Sequence, residues 1–149
     1  MKRFNNIVYI PNNDTDTLSP SFIQAVNLAK ANQANLTLLQ ILPDVKSANL
    51  SHLTGLSESE IKIKVLEKEN ARLQKRIQPL YQNLNMTIDI KFGKKYIETI
   101  RAVHENEFDL VVKEATNTDW LDRFLGSDDM HLLRKCPCPV WMMNRNGKT

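Results

Sequence analysis

Five short apolar runs recur along this chain, each too short for a buried helix, and stretches of helical periodicity fill the intervals between them. The runs are residues 7–10, Asn35–Leu42, Met86–Phe92, residues 110–112 opened by Asp109, and Val140–Met143. Strand and helix in strict alternation, with connections of helix length, mean parallel strands joined by right-handed crossovers. The expected architecture is an α/β three-layer sandwich, Rossmann-like, with a five-stranded parallel sheet and four helices.

The helices are marked by their starts. Ser19-Pro20 reads as N-cap and first helical residue, and Phe22, Ala25, Val26 and Ala29 follow at core-facing spacing. Ser57-Glu58-Ser59-Glu60 is a capping box that opens the longest helix. Its predicted inner stripe is Ile63, Leu66, Leu73, Ile77, Leu80 and Leu84, with Lys64, Glu67, Lys68, Arg72 and Lys75 on a solvated face. Pro79 removes a backbone donor and should break the last turns. Residues 94–105 read as a helix with Tyr96, Ile97, Ile100 and Val103 inward, and His104 beside solvent at its end. Ser127 or Asp128 can cap a last short helix carrying Met130, Leu132 and Leu133, with Arg134 and Lys135 near its negative end.

The strands differ in kind. Residues 7–10 form a continuous apolar run ended by Pro11, the pattern of a central parallel strand. Met86–Phe92 alternates, with Met86, Ile88, Ile90 and Phe92 on one side, which fits a sheet edge. Residues 44–56 have no clear period and read as a surface segment.

Charge and composition narrow the function. Twenty Lys and Arg against 17 acids leave a net charge of +3, too mild and too scattered for a nucleic-acid binder. The polar start MKRFNN is neither a signal peptide nor a membrane span, so a cytoplasmic protein without membrane partners is expected. A chain of 149 residues is most simply a single domain spanning residues 1–149. Its two cysteines, Cys136 and Cys138, exclude a disulfide framework. They are either two reduced thiols in a turn or, with His131, a metal or redox group lacking a fourth ligand.

A Gly126-Ser127 step entering a helix N-terminus is a place where phosphate can bind, since backbone N–H groups and the positive dipole end point the same way. Asp128 and Asp129 suit that dipole themselves and make an anion less welcome. No nucleophile elbow, His-Glu-x-x-His pair or Walker lysine occurs, so an enzyme is not expected. Trp120 and Phe124 read either as lid packing or as the wall of a pocket for an apolar or adenine-like ligand.

The order of elements, together with the run HLLRKCPCPVWM from His131, resembles the universal stress protein family, adenine nucleotide alpha hydrolase-like in fold. Within it the chain is similar to the first half of a tandem, two-domain branch. The resemblance implies the sheet order 3-2-1-4-5, with a ligand crevice at the carboxyl ends of strands one and four. The family's nucleotide binders carry a Gly-x-x-Gly-x9-Gly-Ser/Thr loop, whose earlier glycines fall here on Lys113 and Thr116, leaving Gly126 and Ser127. Their first-strand Asp falls on Pro11 or Asn12. The implied cofactor-binding positions are therefore Asn12, Thr116, Gly126 and Ser127, in a degenerate site.

Cβ atoms at Lys113 and Thr116 obstruct a phosphate cradle. ATP or AMP is disfavoured, no cofactor is expected, and the Lys113 side chain is expected to reach sideways to solvent. The resemblance leaves a non-enzymatic stress-response module acting through dimerisation and partner or weak ligand binding, or an ATP-binding, slowly hydrolysing switch. The first is the expectation, as a homodimer through Val140, Trp141, Met142 and Met143. Residues 144–149 are then a tail or the start of a linker.

Overall fold

The computed structural model describes residues 4–11, 19–44, 54–80, 83–114 and 128–143. Its strands are β1 (Asn6–Ile10), β2 (Asn35–Leu42), β3 (Met86–Phe92), β4 (Leu110–Glu114) and β5 (Val140–Met143). Between them run α1 (Pro20–Asn32), α2 (Glu58–Ile77), α3 (Lys95–Asn106) and α4 (Asp128–Lys135). All four strand pairings are parallel, and the order is β3-β2-β1-β4-β5. The α/β architecture, the sheet order and the two edge strands agree with expectation.

Two cores follow from the alternation of side chains along parallel strands. Ile7, Tyr9, Leu36, Leu38, Leu110 and Val112 meet α1 and α2 through Phe22, Ala25, Ala29, Leu73 and Ile77. Val8, Ile10, Leu39, Ile41 and Val111 meet α3 and α4 on the other face through Ala102, Val103 and Leu132. The sheet is the middle layer of three.

Local chemistry sets the helix limits. Ser19 caps α1, its side chain accepting from the Phe22 N–H, with Pro20 at the start of the helix. Both halves of the Ser57/Glu60 capping box are present at α2. That helix ends at Ile77, and a 3-10 turn, Gln78–Leu80, carries Pro79. At the amino end of the sheet, the Asp109 carboxylate accepts from the Asn5 N–H at 2.7 Å and the Asn6 N–H at 3.0 Å. This clips the start of β4 to the start of β1.

Two inward assignments need correction. Ile63 is 55% exposed, and the buried residue near the start of α2 is Ile61. The helix touches the sheet by one stripe through Ile61, Leu73 and Ile77; a residue two places on from Ile61 is turned by about 200° and faces water. Ile97 is 39% exposed, because α3 turns Thr99, Ala102 and Val103 to the sheet. Among the described residues, no helix is long and apolar enough to cross a membrane.

Candidate functional site

The strand order reverses between β1 and β4, so their carboxyl ends open a crevice where the chain leaves toward opposite faces. Ile10 and Lys113 are in register there. Lys113 and Glu114, the last two residues of β4, project to opposite layers because strand side chains alternate. Each meets a helix N-terminus.

Lys113 turns toward α4. It is 1% exposed, and its Nζ lies 2.7 Å from Oδ1 of Asp129, itself 4% exposed. The same ammonium donates to the Glu114 carbonyl oxygen at 3.1 Å. The expected sideways reach to solvent is therefore wrong: a carboxylate in the first turn of α4 favours the helix dipole, and lysine neutralises it inside the protein.

Glu114 turns toward α1 and is fully buried. Its Oε2 accepts from Ser21 Oγ at 2.8 Å, from Ser19 Oγ at 3.3 Å and from the Tyr9 hydroxyl at 3.4 Å. Tyr9 and Ser21 are 2.8 Å apart and Ser19 and Ser21 2.9 Å, so three hydroxyls and one carboxylate form a closed cluster. The other carboxylate oxygen, Oε1, has no hydrogen-bond partner among the described residues.

Burial pushes the Tyr9 hydroxyl from its ordinary 10.0 up to about 12, and the Glu114 carboxylate adds to the rise, while hydrogen bonds with Ser19 and Ser21 oppose it. A pKa raised by folding contributes stability that is complete below 10 and lost as pH climbs through 12. The unfolding free energy from urea titrations should therefore fall steeply across that alkaline window, by roughly 2–3 kcal/mol attributable to this residue. Tyr9→Phe should flatten the fall, and an unchanged alkaline slope in that variant would refute the assignment.

The cluster is not a nucleophile with its base. Both serines donate to Glu114, Ser19 also caps α1, and the two described histidines lie elsewhere. His131 stacks on Tyr96 at 4.9 Å between ring centroids, and His104 is exposed. Among the described residues no group of three His, Cys, Asp or Glu could hold a metal ion. Asn12, Thr116, Gly126 and Ser127, with Trp120 and Phe124, lie outside the described residues. Of the positions that flank the crevice, Pro11 and Lys113 are described, and both are buried. Tyr9, Ser21 and Glu114 were not anticipated from the sequence; the only signal was a Lys-Glu pair directly after the apolar run.

Comparison with known proteins points one way. The model of the "Universal stress protein family" matches residues 11–144. Universal stress protein E of Photorhabdus laumondii is 26% identical to the chain, which it covers to 96%, and the chain spans 46% of that relative's length. The chain thus spans about half the length of this curated relative. Among solved structures, UspA from Lactobacillus plantarum superposes with a TM-score of 0.70 at 26% identity, covering 95% of this chain and 99% of that one. A universal stress protein from Archaeoglobus fulgidus in complex with dAMP gives 0.61 at 15% identity, covering 93% and 97% respectively, which is a likeness of fold.

Proposed function

The chain belongs to the universal stress protein family, and we propose that within it this domain is a non-enzymatic, cytoplasmic stress-response module that works through dimerisation and partner or weak ligand binding. The observation that carries this reading is the Lys113–Asp129 pair. A phosphate cradle needs bare backbone N–H groups and a positive helix end. Here the first glycine position holds a side chain, and a carboxylate already stands in the first turn of α4.

Dimerisation is argued from the sheet edge. Among the described residues β5 pairs with β4 alone, and Val140, Trp141 and Met142 are only half-buried. An apolar hollow of about 660 Å³, lined by Phe4, Leu28, Leu110, Pro139, Val140 and Trp141 together with Asn32, opens beside it. A short apolar edge of this kind needs a cover, and a second copy meeting it across a two-fold axis supplies one. Met143 is already buried in its own core and would contribute main chain only.

Thermal shift tests the nucleotide part of the reading. ATP, ADP and AMP should each leave the melting temperature where buffer leaves it. A ligand at a hundred times its Kd would add about 2.7 kcal/mol, several degrees for a domain of this size. A shift of that order would replace this reading with the ATP-binding, slowly hydrolysing switch, which the retained Gly126-Ser127 step and the dAMP-bound relative favour.

A further inference from the structure

The run Cys136-Pro137-Cys138-Pro139 joins α4 to β5 and takes no part in the crevice. Prolines after each cysteine keep the segment out of helix. The chain bends at Pro137 and Cys138 and turns the two side chains toward each other, bringing the Sγ atoms to 3.7 Å, ordinary contact for sulfur. Both thiols are reduced and partly exposed. On one side the Cys136 N–H donates to the Leu132 carbonyl at 2.9 Å, closing α4. On the other the Val111 N–H donates to the Pro139 carbonyl at 3.0 Å, opening the β4–β5 ladder.

We propose that Cys136 and Cys138 are a reversible oxidation site, a dithiol that exchanges with small disulfides of the glutathione class to form an intramolecular disulfide. Side-chain rotation must bring the sulfurs from contact to a bond of about 2.05 Å, and the flanking backbone bonds need not break for this. A bridge between residues two apart closes so short a loop that it restricts the unfolded chain little. It is therefore a poor structural staple and stays open to reduction.

The Cys136 thiolate attacks one sulfur of glutathione disulfide, the S–S bond breaks, and a glutathione thiolate leaves and takes up a proton. The Cys138 thiolate then attacks the Cys136 sulfur of the mixed disulfide and expels the second glutathione. Two electrons and two protons pass from the cysteines to the disulfide.

The test uses the intact chain with glutathione disulfide, which spares Met142 and Met143 the oxidation that peroxide would bring. After acid quench and trypsin, peptide 136–145 carries both cysteines. It should be lighter by two hydrogen atoms and recover its mass with dithiothreitol. Cys138→Ser should instead accumulate a stable glutathione adduct on Cys136. If the unaltered chain keeps that adduct as the variant does, or if neither is modified, the pair is not an oxidation site.

Discussion

Asp129→Ala is expected to destabilise the domain by roughly 3–5 kcal/mol, because it removes one partner of a buried charge pair and leaves the other inside. Lys113 is almost wholly enclosed, with its ammonium 2.7 Å from the carboxylate that would be lost. The Glu114 carbonyl remains as an acceptor for the ammonium. Asp129 also stands in the first turn of α4, where a negative charge contributes a further ~0.3–1 kcal/mol through the helix dipole. Replacing both partners, Lys113→Met with Asp129→Leu, should cost little or even stabilise, since desolvation of two ions is removed together with their attraction. Urea denaturation of the three proteins measures this directly. A loss below about 1 kcal/mol for Asp129→Ala, the range of an exposed pair, would mean that the two charges are not a tight buried pair, and the main argument against phosphate would fall.

The second large effect is on assembly. The unaltered chain should be a dimer at tens of micromolar, an affinity of about 6–7 kcal/mol, and Val140→Lys should be a monomer at the same concentration. A lysine at an exposed edge strand repels a second copy of itself and must be dehydrated for the edges to meet. Val140 also packs partly against the α3/α4 core, so a far-ultraviolet spectrum and melting curve must show that the variant is folded. Trp141→Ala, on the opposite face beside the apolar hollow, serves as an independent probe. Sedimentation showing a monomer before any substitution, or a dimer that survives both changes, would move the interface elsewhere.

Elements with local causes were legible in the sequence. The Ser57/Glu60 box, the Ser19-Pro20 start and the stop at Pro79 depend on neighbours a few residues away, and each stands where the residue types put it. Asn35–Leu42 and Met86–Phe92 have the predicted limits because apolar runs bounded by polar and turn residues leave little choice. Ile63 and Ile97 went astray because apolar identity was taken as inward direction, whereas the contact stripe of a helix is chosen by the sheet it lands on. The sheet order came from resemblance, not from periodicity. The crevice was least legible. Ser21, the Lys113-Glu114 pair and Asp129 lie on three elements far apart in sequence, and only the crossovers on both faces of β4 bring α1 and α4 to its end. A charged pair following an apolar strand usually marks solvent; here it marks the junction of three layers.

The opposed paths of Lys113 and Glu114 bear on how such a domain can change over generations. Each is committed to a partner distant in sequence, one to Asp129 and the other to Ser19 and Ser21. Glycine at position 113 alone would take the ammonium away from the Asp129 carboxylate, and loss of Asp129 alone would take the carboxylate away from the lysine. Every single-step route to a bare backbone amide at position 113 therefore passes through a weakened fold, and the pair, once both residues are in place, works as a ratchet.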